Sequence, residues 1–196
     1  MRKFAVDLDL VRKYNLPGPR YTSYPTAVQF IEVTDPAPLI EDIRENNISP
    51  RPLSLYFHLP FCETLCWFCG CTTVIGRDHG RTKIYLDHLE REIELTRELL
   101  HPDRKAIQMH FGGGTPNYLE PDEIDRIGDI INRAFIFDQS PERSVELDPR
   151  RLTREHVEAF ARIGLNRASI GIQDFNHEVQ QAVNRIQPFE LTEQTV

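Results

Sequence analysis

Leu53-Ser54-Leu55-Tyr56-Phe57-His58-Leu59-Pro60-Phe61-Cys62-Glu63-Thr64-Leu65-Cys66-Trp67-Phe68-Cys69-Gly70-Cys71 is the stretch that decides how this chain reads. Leu53, Leu55, Phe57 and Leu59 alternate with Ser54, Tyr56 and His58, the period-two signature of a strand with one apolar and one polar face. All four cysteines of the chain, Cys62, Cys66, Cys69 and Cys71, follow that strand within ten residues. A disulfide framework spreads cysteines out to tie distant segments together, so this crowding fits a metal site in a reducing compartment better.

Downstream of the cysteines the pattern changes to helix and strand in turn. Residues 81–100 read as a long helix, with Tyr85, Leu89, Ile93 and Leu100 on one stripe and charged residues elsewhere. The order then repeats: strand 106–111, helix 121–135, strand 144–147, helix 153–163, strand 167–172, with Gly164 where a helix C-cap belongs. Strands separated by helices predict an α/β fold with a parallel sheet or barrel, which binds ligands at the C-terminal ends of its strands.

Upstream, residues 1–52 hold seven of the fourteen prolines and are expected to form an extended N-terminal arm, interrupted by a short helix over 40–46. Residues 53–196 form the second expected domain. Because 191–196 starts what looks like another helix, the chain reads as ending inside a repeating unit, as a fragment or truncated product.

The bulk numbers narrow the function. A chain of 196 residues with 40% hydrophobic content suffices for a cored domain. A formal net charge of -7 argues against nucleic acid as the partner, since phosphate neutralisation needs clustered Lys and Arg. No apolar run approaches membrane-spanning length and the first fourteen residues lack a signal-peptide core, so the expected location is the cytoplasm.

Three thiolates from one short loop can hold three corners of a four-iron, four-sulfur cubane, which leaves the fourth iron free to chelate a substrate. The competing reading is a zinc knot, although such sites usually pair C-x-x-C spacings from two separate loops. Further polar signals fall at the same strand ends. Gly112-Gly113-Gly114-Thr115-Pro116 offers backbone amides and carbonyls to a ligand without side-chain obstruction, though a plain tight connection explains a glycine turn as well. Glu146 could pair with a cationic group of a ligand, or be an exposed strand residue. Gln173 offers both donor and acceptor, and Arg185 is a candidate carboxylate clamp, though an isolated Arg is more often on the surface.

The C-x-x-x-C-x-x-C core resembles the cluster loop of the radical S-adenosylmethionine superfamily. The whole set of motifs resembles more narrowly the oxygen-independent coproporphyrinogen III oxidase family: Arg20-Tyr21-Thr22-Ser23-Tyr24-Pro25-Thr26, the strand running into Cys62, the cysteine loop, His110-Phe111-Gly112-Gly113-Gly114-Thr115-Pro116, Glu146-Leu147-Asp148-Pro149, and Gln173-Asp174-Phe175 through Asn184-Arg185. The resemblance implies an incomplete parallel (β/α) barrel of the radical SAM type, about four of six βα units, and a [4Fe-4S] cluster on Cys62, Cys66 and Cys69 with Cys71 as an additional thiol. It implies two S-adenosylmethionine molecules, with Tyr56, Gly113, Glu146 and Arg185 at the first and Phe68, Gly114, Thr115 and Gln173 around the second or between the two.

The implied reaction converts two propionate side chains of coproporphyrinogen III to vinyl groups, giving protoporphyrinogen IX. It needs a reductant protein for the cluster, and the expected state is a monomer. Arg20, basic and in the arm, is a candidate for holding a propionate. The isolated fragment is expected to be inactive. A haem chaperone of the same superfamily is the alternative; the 20–26 arm and Cys71 favour the oxidase.

Overall fold

In a computed structural model, the structure describes residues 7–15, 26, 29–32 and 34–196, so Arg20 and the 20–25 part of the tyrosine–proline segment lie outside the described residues. The chain divides into two compact units, Met1–Pro38 and Leu39–Val196.

In the first unit, α1 (Leu8–Tyr14) is a helix where an extended arm was expected. Its ends explain it. The Asp7 carboxylate accepts from the Asp9 and Leu10 amides, and Arg12 and Lys13 sit in the last turn, where cations favour the helix dipole.

A second helix, α2 (Ala37–Asn46), is longer than the 40–46 segment expected, because Asp35 accepts the Ala37 amide and starts it earlier. Just after it, Asn47 donates to the Leu99 carbonyl at 2.7 Å and accepts from the His101 amide at 2.9 Å.

The frame of the second unit is a four-stranded, wholly parallel sheet in the order β1 (Leu53–Leu59), β4 (Lys105–Gly113), β5 (Ile136–Leu147), β6 (Arg167–Ile170). Helices α3 (Gly80–Leu99), α4 (Pro121–Ala134) and α5 (Arg154–Arg162) connect the strands, as the alternating pattern predicts. Phe57, Leu59, Phe111 and Val145 bury one face of the sheet against Leu86, Ile93, Ile124, Ile127 and Phe160 of the helices. The other face is polar, carrying Ser54, Tyr56, Gln108, His110, Glu142 and Glu146.

Two strands depart from the sequence expectation. In β4, Ala106 and Met109 are both buried although they stand three apart. A register shift between Ala106 and Gln108 reconciles them, leaving Ile107 half exposed as the extra residue of a bulge. Strand β5 begins at Ile136 rather than at 144. Pairing along β4 jumps from Phe137 to Glu142, so 138–141, with Pro141 and the turn-forming Asp138 and Ser140, interrupt the ladder and hide its first part from a periodicity reading. Strand β6 is shorter than expected, ending at Ile170 before Gly171.

Helix α4 shows how the sequence specifies an element. Glu120 and Glu123 form a capping box, Pro121 occupies the first turn, and Ile124, Ile127, Ile130 and Ile131 make one buried stripe. Helix α5 starts on the Thr153 hydroxyl, which accepts the His156 amide, and stops at Gly164, whose φ of 92° suits glycine at that position. Beyond β6 come α6 (His177–Ala182), which periodicity did not announce, and α7 (Phe189–Thr195). Among the described residues, no helix is long and apolar enough to cross a membrane.

Candidate functional site

The cysteine loop leaves the sheet through β2 (Phe61–Cys62), which pairs in parallel with β3 (Val74–Ile75). This short pairing clamps both ends of the loop. The Val74 amide donates to the Pro60 carbonyl at 2.7 Å and the Gly76 amide to the Cys62 carbonyl at 3.0 Å. Within the loop, the Cys69 amide donates to the Cys66 carbonyl at 2.9 Å. A second anchor comes from far along the chain: the Trp67 amide donates to the Val183 carbonyl at 3.0 Å, and Asn184 Nδ2 to the Leu65 carbonyl at 2.8 Å. Asn184 holds a left-handed backbone, φ 54°, a conformation asparagine tolerates better than most residues.

The glycine segment lies directly against this loop. The Gly114 amide donates to the Leu59 carbonyl at 2.8 Å and the Thr115 amide to the Phe61 carbonyl at 2.9 Å. A Cβ on Gly114 would stand 2.6 Å from the Phe61 carbonyl oxygen, so only glycine allows the two backbones to meet there. Gly112 and Gly113 belong to the end of β4, not to the connection after it, and Gly113 has φ 113°.

Thr115 is buried, and its hydroxyl lies 3.3 Å from Cys62 Sγ. Burial pushes the Cys62 thiol up; the Thr115 hydroxyl opposes this, and Cys69, Asp148 and Cys66 add to the rise. A metal that binds thiolates must therefore supply the positive charge that drives off this proton.

One cavity is lined by Cys62, Cys66 and Cys69 together with Phe68, Gly114, Thr115, Gln173 and Arg185. An adjoining cavity shares Cys69, Gly114, Thr115, Gln173 and Arg185 and adds Cys71, Gly113, Glu146 and Ser169. Three of the four cysteines thus face one space and Cys71 faces the next. The donor set suits a cubane, which takes one thiolate per iron. Among the described residues, no three His, Cys, Asp or Glu side chains are gathered as a single-ion site.

The residues singled out from sequence fall as follows. Gly113, Gly114, Thr115, Glu146, Gln173 and Phe68 line the two cavities; Gln173 is exposed, with a left-handed φ of 67°, and Phe68 is half exposed. Tyr56 lines neither cavity. It stands on the polar face of β1, its hydroxyl 3.1 Å from His58 Nδ1 and its ring stacked on His110 at 5.8 Å, and it borders a cleft with Leu55, His58 and Tyr85. The His58 Nε2 contact at 2.9 Å is to the Thr72 carbonyl, which only accepts, so Nδ1 accepts the Tyr56 hydroxyl proton when His58 is neutral. Glu146 is exposed at 3.5 Å from His110 Nε2, and the other nitrogen of that ring meets the Ser144 hydroxyl at 2.7 Å.

Arg185 lines both cavities but is buried rather than free. Its guanidinium donates to the Gly171 carbonyl at 2.8 Å, Gln187 Oε1 at 3.2 Å, Asp148 Oδ2 at 3.3 Å and Cys66 Sγ at 3.6 Å.

Sequence reasoning gave no role to Asn117, Asp148 or Arg150, although Asp148 stands within a quoted motif. Asn117, only 1% exposed, exchanges two hydrogen bonds with the Asp148 backbone. Burial pushes the Asp148 carboxyl up, but its hydrogen bonds from Arg150 and the charges of Arg185 and Arg150 prevail and hold it below the usual carboxylate range. Asn117 and Arg150 each lie one residue past a motif quoted for function and Asp148 lies inside one, and nothing in their spacing announces contacts made across thirty residues or more.

A family model described as the radical SAM superfamily matches residues 56–196. A curated Helicobacter pylori J99 protein named oxygen-independent coproporphyrinogen III oxidase is 41% identical over 195 residues, 98% of this chain and 43% of that protein. Proteins of the same name from Salmonella typhimurium and Escherichia coli K12 are 45% and 44% identical over 185 residues, each covering 94% of this chain and 40% of the relative. The chain therefore spans about two fifths of the length of these relatives. A solved structure described as coproporphyrinogen III oxidase from Escherichia coli, a radical SAM enzyme, superposes with a TM-score of 0.82 at 41% identity, covering 95% of this chain and 41% of that one.

Proposed function

Because the chain belongs to the radical SAM superfamily, whose members use a [4Fe-4S] cluster and S-adenosylmethionine, we propose that it serves the anaerobic oxidative decarboxylation of coproporphyrinogen III to protoporphyrinogen IX in haem biosynthesis. The observation that carries this reading is the cavity at the C-terminal edge of the sheet, where Cys62, Cys66 and Cys69 meet Gly114, Thr115, Gln173 and Arg185. The relatives that bear this activity in their names supply the substrate.

In this reading Cys62, Cys66 and Cys69 would hold the cluster. Bound there, cluster and cofactor would supply the radical chemistry that takes a hydrogen from the propionate carbon next to the ring. The chain's own residues bind and orient. The open backbone of Gly113 and Gly114 and the carboxylate of Glu146 meet the amino end of one cofactor molecule, with Tyr56 and Arg185 beside it. Phe68, Thr115 and Gln173 border a second molecule. The rings of Tyr56 and His110 give the polar sheet face a flat aromatic surface next to the carboxylate of Glu146. A separate low-potential protein supplies electrons, the enzyme works in the cytoplasm as a monomer, and nucleic acid and membrane play no part.

The test is anaerobic reconstitution followed by assay of 5'-deoxyadenosine and of protoporphyrinogen. These 196 residues alone are expected to give neither product, and a chain of the relatives' full length both. Robust turnover by the 196 residues would overturn the first expectation, and stoichiometric haem binding without cofactor cleavage would instead make the protein a haem chaperone.

A further inference from the structure

Arg185 belongs to a buried charge group whose other two members, Asp148 and Arg150, have no role in the reading above. Asp148 takes Arg150 through both carboxylate oxygens, Nε at 2.9 and 3.0 Å and Nη2 at 2.5 Å, and takes Arg185 Nη1 at 3.3 Å. Both guanidiniums then donate to a single further atom, Cys66 Sγ, from 3.5 Å and 3.6 Å. The other partners of Arg185 are neutral, the Gly171 carbonyl and the Gln187 amide.

The side chains of Asp148 and Arg185 are each 9% exposed and that of Arg150 is 20% exposed. Two cations against one carboxylate leave a surplus positive charge with little water to solvate it, an arrangement that needs a further counter-charge close by. The sulfur of Cys66, in the thiolate form that ligates iron, is that counter-charge. Cys62 differs, since among the described residues its sulfur meets only the neutral Thr115 hydroxyl. The corners of the site are therefore unequal, and charge-assisted donors converge on one of them.

The geometry points to Arg150 as a tuning residue of the cluster: held by Asp148, it donates to the sulfur of Cys66 and stabilises the cluster in its reduced form. This rests on the reading of Cys62, Cys66 and Cys69 as the cluster ligands. Hydrogen bonds to ligand sulfur draw off charge and raise the reduction potential. In the step concerned, one electron passes from the external low-potential reductant to the cluster. No bond forms or breaks, and the fixed cation offsets part of the added negative charge.

The experiment is a mediated redox titration of the anaerobically reconstituted protein, followed by electron paramagnetic resonance, in wild type, Arg150→Lys and Arg150→Gln. Iron and sulfide content is measured alongside. The expected result is a full cluster complement in wild type and a reduction potential that becomes more negative in the order wild type, Lys, Gln. Should Arg150→Gln fail to hold a cluster, the Lys variant, which keeps the charge but loses the forked grip on Asp148, still gives the sign of the shift. Variants with intact clusters at the wild-type potential overturn the proposal. So does loss of the cluster from both folded variants, which makes Arg150 purely structural. A wild-type protein that assembles no iron–sulfur cluster overturns the ligand reading itself.

Discussion

Asn117 and Asp148 exchange a closed pair of hydrogen bonds: Asn117 Nδ2 donates to the Asp148 carbonyl and the Asp148 amide donates to Asn117 Oδ1, both at 2.9 Å. The pair joins the turn after β4 to the turn after β5, and so sets the distance between the glycine segment and the Asp148 charge group. Replacing Asn117 by Ala leaves a buried carbonyl and a buried amide without partners, at about 1–3 kcal/mol each. Asn117→Ala is therefore expected to lower the denaturant midpoint and to weaken cofactor binding as well. Asn117→Asp keeps the acceptor for the Asp148 amide but loses the donor to its carbonyl. An alanine variant as stable as wild type would show that the two turns are held by other means.

The charge group around Asp148 makes stability depend on pH with a definite sign. A carboxyl held below its unfolded value of about 3.9 contributes stability that is present above that value and is lost as the pH falls through the folded value. Wild type is thus expected to lose stability steeply below about pH 4. Asp148→Asn should lack that component and be less stable at neutral pH by about 3–5 kcal/mol, because Arg150 and Arg185 are left facing each other without their carboxylate. Urea midpoints measured from pH 3 to 7 check both statements.

Gly128 marks the crossing of α4 and α5. A Cβ there would lie 2.2 Å from Ile163 Cγ2 and 2.5 Å from Ile163 Cβ, inside the packed core. Gly128→Ala gains about 1 kcal/mol of helix propensity but forces the helices apart, at about 1–3 kcal/mol for an overpacked core. Net destabilisation is expected, and Gly128→Ala with Ile163→Ala should recover part of it. A stabilised single variant would mean that the helices slide freely at this contact.

The four cysteines should behave in two classes. Serine at Cys62, Cys66 or Cys69 is expected to reduce iron bound after reconstitution to a small fraction of wild type. Serine at Cys71, which faces the adjoining cavity, should leave iron content near wild type. Iron and sulfide analysis on the four variants decides this. Equal loss in all four would make Cys71 a ligand or a structural necessity.

What could be read from the sequence follows from the range of the interactions involved. The helix–strand alternation from β1 to β6 was legible because each element carries its own period and caps, as the Glu120 and Glu123 box of α4 shows. Convergence of the cysteines, Gly114, Glu146 and Gln173 was legible from topology, since ligands gather at the C-terminal ends of parallel strands. Helix α1 was hidden by mixed charge and apolar residues, and the first half of β5 by Pro141. Arg185 read as a free clamp because sequence gives no view of the Asp148, Gly171 and Gln187 contacts that bury it. Asn117 was invisible for the same reason: its partner is 31 residues away.

The central claim is a cubane on Cys62, Cys66 and Cys69 with one iron left open for the cofactor. Its most direct measurement is the electron paramagnetic resonance spectrum of the reduced, reconstituted protein before and after S-adenosylmethionine is added, with iron and acid-labile sulfide counted on the same sample. About four irons and four sulfides per chain, and a spectrum that changes on adding the cofactor, are predicted for a site-differentiated cluster. One colourless zinc per chain, or a cluster whose spectrum ignores the cofactor, would contradict the account.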